Sequence, residues 1–352
     1  MAERKLGVGV IGCGGIGSRV HVPNYARNPR VRLVAVADVE LDRARAVAEQ
    51  WGIDSYYQDY RELLARPDVE AVSVTTPVFM HAEPAIAAME AGKHVLCEKP
   101  IARTLAEADA MVATAQRCGV LLTMGYQPRF SRLWERAKQV LDDGLLGRII
   151  GVNTVSYGRA GLPAPWFLDP AKAGGGILMD WGIYTAYMLQ WLAGPVVAVS
   201  ATIRAFRTEY PAGGTLVQDV KVEDTAVATL EFASGALGVW YLTWAGVTGH
   251  GYTAIDGLEG SLVMRPGHGD SPLLYSTKTD EPEYLRGWRT LAFQELNLAE
   301  QHYRKLDHLV AAVLDGTPLV MTGADGRDAL ELIQAIYRAA DSGQRVSLPL
   351  AR

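Results

Sequence analysis

The sequence predicts an α/β chain of two parts: a doubly wound parallel sheet at the N-terminal end, then an open, mostly antiparallel sheet. Three observations carry this. Gly12-Cys13-Gly14-Gly15-Ile16-Gly17 directly follows a short apolar strand, short apolar strands alternate with helical segments as far as Gly125, and strand-like segments without crossover helices prevail from Ile149 onward. A chain of 352 residues is long for one core, so two domains are expected, at residues 1–125 and 126–352.

Val8 to Ile11 read as the first strand, running straight into a complete G-x-G-x-x-G. The motif alone is weak evidence. Here it is followed by a segment with helical spacing and a second apolar strand, Val31 to Ala37, the order a dinucleotide-binding Rossmann unit needs. Glycines allow the tight turn and close backbone approach, and the helix N-terminus offers free N–H groups to a pyrophosphate. Gly12, Gly14, Gly15, Ile16 and Gly17 are therefore candidate cofactor contacts. Asp38 closes the second strand, 21 positions after Gly17. A carboxylate there accepts hydrogen bonds from ribose hydroxyls and repels a 2′-phosphate, favouring NAD over NADP. Asp38 also reads as a helix N-cap before Leu41-Asp42-Arg43-Ala44, and the two roles are compatible.

The alternation continues with a helix from Asp42 to Trp51, a short one from Tyr60 to Ala65, and a strand from Ala71 to Val74 ending in Thr75-Thr76-Pro77. A helix from His81 to Ala91 stops at Gly92. The strand His94 to Cys97 leads into Glu98-Lys99-Pro100, Thr104-Leu105-Ala106-Glu107 is a capping box for a helix to Cys118, and Val120 to Met124 is one more strand. Ligands of such sheets sit beyond the carboxyl ends of the strands. Gly12, Asp38, Thr76, Pro77, Glu98, Lys99 and Gly125 all fall there. In isolation Glu-Lys-Pro is a polar turn. In this place Lys99, held extended by Pro100, is expected beside the nicotinamide, where it can hold a substrate alcohol and accept its proton.

After Tyr126-Gln127-Pro128-Arg129-Phe130 the pattern changes. A helix from Leu133 to Leu141 ends at Asp142-Asp143-Gly144. Strands follow at Ile149 to Tyr157, Val196 to Phe206, Thr225 to Phe232, Leu237 to Trp244 and Thr253 to Leu258, with a hairpin turn at Ala233-Ser234-Gly235-Ala236. Gly267 to Leu291 is polar and proline-containing and reads as a long loop, and Leu296 to Leu314 and Asp325 to Ala340 read as closing helices. Gly174-Gly175-Gly176 opens a segment that is apolar nearly all round as far as Leu192, so a buried helix is expected. Within it Asp180 and Tyr184 are four residues apart and share a face, a carboxylate and a phenol that need partners if buried. Read alone, Asp180 is a first-turn acid and Tyr184 a core aromatic.

Composition narrows the function classes. With 49% apolar and 21% charged residues the chain is globular, and its net charge of −5 argues against a nucleic-acid partner. Three cysteines without metal-ligand spacing fit a reducing cytoplasm and no metal site, and no apolar run approaches the roughly 20 residues of a membrane span.

With these residues on the page, the chain resembles the Gfo/Idh/MocA family over nearly its whole length. The resemblance rests on the glycine motif, Thr76-Pro77 followed by His81, Gly92-Lys93-His94-Val95 leading into Glu98-Lys99-Pro100, Gly174-Gly175-Gly176 with Asp180, and the closing helix from Ala329 to Ala340. It implies an N-terminal Rossmann domain, bound NAD, and a C-terminal sheet whose outer face often makes a dimer or tetramer interface. The family's lysine maps onto Lys99 and its helix acid onto Asp180. Many sugar and inositol dehydrogenases of the family carry histidine where this chain has Tyr184, so it looks more like the Asp-x-Gly-x-Tyr branch. That branch includes glucose-fructose oxidoreductase, dihydrodiol dehydrogenases, some xylose dehydrogenases and sugar 3-ketoreductases. The expectation is oxidation of a sugar or polyol carbinol with NAD, Lys99 and Tyr184 handling the proton and Asp180 orienting them. Gln127, Tyr157 and Trp166 are expected in the substrate pocket, and Gln127, Thr76, Pro77, His81 and Glu98 among the cofactor contacts. Competing readings are a redox glycosidase that retains its NAD, a non-catalytic NAD- and sugar-sensing regulator, and a biliverdin-reductase-like enzyme.

Overall fold

A computed structural model describes residues 4–159, 161–265, 273–277, 287–291 and 296–351. The chain divides into two units, Met1–Gln127 with Asn297–Leu330, and Pro128–Leu296 with Glu331–Arg352.

In the first unit six parallel strands, β1 (Leu6–Ile11), β2 (Val31–Ala37), β3 (Ser55–Tyr57), β4 (Ala71–Val74), β5 (His94–Cys97) and β6 (Leu122–Met124), form a sheet in the order β3-β2-β1-β4-β5-β6. β1 and β4 are buried at every residue, as strands covered on both faces must be. β3 is the one strand the sequence pattern missed. Three residues reading Ser-Tyr-Tyr are too short to show a period. Strand order reverses at β1 and β4, so the crevice at their carboxyl ends is the ligand position of a doubly wound sheet. The capping box at Thr104 is present in full on the helix Leu105–Cys118. The helix Leu298–Asp315 also belongs here, its Leu306, Leu309 and Val310 joining the core of β1 and β2 residues.

In the second unit nine strands form one sheet: β7 (Ile149–Arg159), β8 (Val196–Arg204), β11 (Thr225–Phe232), β12 (Leu237–Thr243), β13 (Ala245–Gly257), β14 (Gly260–Met264), β15 (Leu273–Ser276), β16 (Gly287–Thr290) and β17 (Val346–Ser347). A separate pair is made by β9 (Tyr210–Ala212) and β10 (Thr215–Val217). The order is β16-β15-β14-β13-β7-β12-β11-β8-β17, with β7 and β12 parallel and all other neighbours antiparallel. β15 and β16 lie inside the stretch expected to be a loop. Leu273 to Ser276 pairs with both β14 and β16, so ladder bonding overrides a polar, proline-containing setting. The rest of that stretch lies outside the described residues.

The glycine-led apolar segment begins with a π-helical turn, Leu178–Gly182, and continues as the α-helix Ile183–Ala193. It is buried along most of its circumference, at Ile183, Ala186, Met188 and Leu189 among others, but Asp180, Trp181, Tyr184 and Thr185 are half-exposed. The expected buried helix is thus present, open to solvent on the face that carries Asp180 and Tyr184. A Cβ on Gly158 would meet the Trp181 ring at 2.2 Å, and one on Gly182 would meet Leu242 at 3.3 Å. The helix therefore lies on the sheet face that carries Gly158 and Leu242.

Candidate active site

The glycine turn is braced from two sides. Gly12 has φ +98°, a left-handed value that favours glycine, and the Thr75 hydroxyl donates to its carbonyl at 2.6 Å. A Cβ on Gly17 would lie 2.0 Å from that carbonyl oxygen, so the third glycine is what lets the helical turn close on the strand. The Asp38 carboxylate accepts from Cys13 N at 2.7 Å, Glu40 N at 2.9 Å and Arg43 Nη1 at 3.1 Å. Asp38 thus ties the end of β2 to the glycine turn. The N-cap of the helix Leu41–Trp51 is Glu40, not Asp38. Burial, with the Asp38 charge adding, pushes the Cys13 thiol up to about 12, which leaves it no nucleophilic role. Nothing lies within 4 Å of a Cβ built on Gly14 or Gly15. That bare backbone leaves room for a pyrophosphate to approach the turn.

Lys99 follows β5, half-buried, and its backbone N–H donates to Glu98 Oε2 at 3.3 Å. The other oxygen of Glu98 accepts from Lys305 Nζ at 2.5 Å and lies 2.8 Å from His21 Nε2. Glu98, Lys305 and His21 are 6%, 1% and 0% exposed. Glu98, expected among the cofactor contacts, is thus committed to a buried ion pair that fixes the backbone of Lys99. Burial alone would raise its pKa, but the Lys305 ammonium and the His21 bond outweigh burial and hold it well below the carboxylate range. A Cβ on Gly125 would lie 2.6 Å from the Glu98 carboxylate, which is why that position is glycine. Burial first, and then Lys305, lower His21 to about 4 and His302 to about 3, so both rings are neutral. His81 places Nε2 2.8 Å from the Thr76 carbonyl and Nδ1 2.8 Å from that of Pro100. Burial favours the neutral ring, which donates through one nitrogen only, to the carbonyl of Thr76 or of Pro100 at the exit of β4 and the Lys99-Pro100 loop, while the Thr76 hydroxyl donates to Met80 O at 2.7 Å. Gln127 begins a 3-10 turn and its Oε1 is buried with no hydrogen-bond partner among the described residues.

In the second unit Asp180 sits in the π-helical turn and Tyr184 one turn on. Such turns recur at functional sites because the extra residue re-aims its neighbours. The segment before them is anchored by Glu223, a buried carboxylate that accepts from Gly176 N at 2.8 Å, Leu178 N at 3.0 Å and Tyr337 Oη at 2.8 Å. A Cβ on Gly175 would lie 1.9 Å from the Tyr337 hydroxyl, and one on Gly176 2.0 Å from Glu223 O. Two of the three glycines are therefore demanded by the anchor. Trp166 stacks on Phe167 at 3.9 Å in a separate 3-10 turn. Tyr157 stacks on His250 at 4.2 Å, packs on Tyr241, and lines the same cleft as Trp181 and Tyr184.

Lys305, His21, Glu223 and Tyr337 were not found from sequence. Lys305 and Tyr337 look like ordinary members of amphipathic helices. The only signal was indirect, in glycines at 125, 175 and 176 that no turn required.

A parallel sheet whose first turn leaves its backbone bare, with a carboxylate closing the second strand, is the framework of an NAD-binding oxidoreductase. The profile of an oxidoreductase family with an NAD-binding Rossmann fold matches residues 6–126, and that of a GFO/IDH/MocA C-terminal domain matches residues 134–263. The chain belongs to the Gfo/Idh/MocA family. It is 30% identical to the myo-inositol 2-dehydrogenase of Thermotoga maritima, over 97% of this chain and 98% of that one. It is 28% identical to the D-glucoside 3-dehydrogenase of Escherichia coli, over 99% of each. Among solved structures, levoglucosan dehydrogenase in complex with NADH aligns with a TM-score of 0.88 at 26% identity, over 99% of this chain and 100% of that one.

Removing the ammonium from the buried pair should be costly. Lys305→Met leaves Glu98 charged and unpaired and is expected to destabilise the first unit by about 3–5 kcal/mol, whereas Lys305→Met with Glu98→Gln recovers much of the loss. Thermal unfolding of both variants checks this, and equal midpoints for the two would refute it. The histidines give an acid limit. Their folded pKa values lie below 6.5, so their contribution is complete above pH 6.5 and is lost as pH falls to about 4 for His21 and about 3 for His302. Stability should drop by up to about 1.4 kcal/mol per pH unit for each histidine below pH 6.5, and His302→Gln should shallow that slope.

Proposed function

We propose that this chain oxidises, reversibly, a secondary carbinol of a sugar, polyol or glycoside. NAD, when bound, supplies the hydride acceptor at its nicotinamide C4. In this reading Tyr184 or Lys99 takes the hydroxyl proton and Asp180 orients the pair. The observation that carries it is Lys99 itself, at the carboxyl end of β5 in the sheet whose glycine turn is open at Gly14 and Gly15, on a backbone bonded to buried Glu98. The substrate class is supported by the relatives named for inositol, a glucoside and levoglucosan. Reference pKa values of about 10 for a free tyrosine and 10.4 for a free lysine put proton acceptance by either group on the alkaline side. The three thiols, Cys13 and Cys97 buried, agree with a reducing cytoplasm.

We also propose a homodimer or homotetramer through the sheet face turned away from the helix Ile183–Ala193. Leu237 is 64% exposed there and Val239 46%, with exposed Val227 on the neighbouring strand β11, a run of apolar side chains that a partner copy would cover.

The deciding assay is NADH production across sugars, inositols and glycosides, with NADP in parallel. Activity is expected with NAD and on the alkaline side, because Tyr184 replaces a group that would titrate near 6.5. Lys99→Ala and Tyr184→Phe should each lower kcat by roughly 10²–10⁴-fold. Full activity in Lys99→Ala would remove the lysine from the chemistry, and silence of the wild type with NAD still bound would turn the case to a redox glycosidase or a sensor. For the assembly, Val239→Lys should lower the mass measured by light scattering, and a monomeric wild type would end that part of the proposal.

A further inference from the structure

The sheet face beneath the helix Ile183–Ala193 is filled unevenly. Along β11 and β12 it carries Leu230, Phe232, Trp240 and Leu242, all at most 2% exposed. Along β7 and β13 the same face carries Thr154, Ser156, Gly251 and Thr253, paired across the ladder, with the two threonine hydroxyls 2.9 Å apart. Beyond them Val152 and Ile255 close one end. The small residues leave an open cleft of about 480 Å³ between the helix and the sheet. Small-molecule sites span roughly 300–1,000 Å³, so the cleft is large enough to take a ring and its substituent.

Its chemistry changes along its length. Tyr184, Thr185, Met188, Leu189 and Leu192 line it, two turns of one helix and about 12 Å at 1.5 Å per residue. Next to Tyr184 the helix side is hydroxylic, with Thr185. Farther along it is Met188, Leu189 and Leu192, with Trp134 also in the lining, an apolar surface suited to a flat ring, while the sheet side adds Ser156, Tyr157, His250 and Tyr252.

We propose that this cavity is a subsite for an apolar aglycone, aryl or alkyl, carried by the carbohydrate substrate, so that substituted glycosides are preferred to bare sugars. The inference rests on the reading of Tyr184 as a proton-transfer residue at the sugar. Trp134 and the helix side at Met188 and Leu192 hold the substituent, and the hydroxyls of Tyr184 and Thr185 meet the polar ring.

Equilibrium binding of phenyl and methyl β-D-glucopyranoside to the NADH-loaded protein, followed by tryptophan emission and by calorimetry, tests it. The phenyl glycoside should bind at least roughly tenfold more tightly, and kcat/KM should favour it by a similar factor. Thr185→Trp, which fills the space from the helix, should bring both ratios toward one. Ser156→Leu, which fills it from the sheet, makes the same test should the first variant fail to fold. Equal affinity for the two glycosides, or a phenyl preference that survives both variants, overturns the proposal. Turnover of both glycosides at equal rates with equal binding would leave the dehydrogenase reading standing and remove the subsite. Preferential phenyl binding without turnover would do the reverse.

Discussion

The Glu98 carboxylate, buried against Lys305 and His21, is the interaction on which the first unit's chemistry depends. Taking a carboxylate and an ammonium out of water costs several kcal/mol per ion, and the pair repays this only when its geometry is good and its remaining atoms are bonded. Here they are. One oxygen meets the ammonium at 2.5 Å and a histidine at 2.8 Å, and the other accepts the backbone N–H of Lys99. One charge pair therefore joins three distant stretches of chain: the helical turn after the glycine motif, the exit of β5, and a helix some two hundred residues farther on. A buried pair contributes little net stability compared with an apolar filling, so its value is positional. It holds a lysine backbone at a strand end where dihedral freedom would otherwise blur it.

The second unit reaches the same end by other means. Glu223 has no ammonium beside it. Burial pushes its pKa up, against the pull of the Tyr337 hydroxyl and the N–H groups of Leu178 and Gly176. Those N–H groups are the unpaired donors of a helix start, the natural partners of a carboxylate. The anchor fixes the π-helical turn in which Asp180 stands. Each proposed catalytic segment is thus set by a buried acid, Glu98 immediately before Lys99 and Glu223 bonded to the backbone just ahead of Asp180, and neither acid is itself a proposed reacting group.

This explains what the sequence revealed and what it hid. The Rossmann part was legible almost to the residue because its signals are local: apolar runs, a capping box, a glycine stop at Gly92. The second sheet was legible only where strands were long and alternating. β9, β10 and β14 to β17 are short or polar, and pairing with neighbours, not their own pattern, makes them strands. Site residues followed the same rule. Lys99, Asp180 and Tyr184 stood out because they break an apolar context, whereas Lys305 and Tyr337 sit at ordinary helix positions and owe their importance to contacts far away in sequence. Tyr157, expected in the pocket, lines the same cleft as Tyr184, and its stacking partner His250 comes from far along the chain, where no local pattern announces it.

The glycines connect these points. Residues 125, 175 and 176 were read as turn or motif glycines, yet a methyl group at each would collide with Glu98, Tyr337 or the Glu223 backbone. They record, as missing side chains, the places where a buried acid and its partners must come close. By contrast Gly14 and Gly15 meet nothing, and their lack of a side chain has no explanation inside the protein. A glycine pressed by its own fold is structural. Open space alone does not mark a ligand, since Gly52, Gly119 and Gly316 also meet nothing and serve as left-handed helix stops; Gly14 and Gly15 differ in standing without positive φ just beyond the carboxyl end of β1.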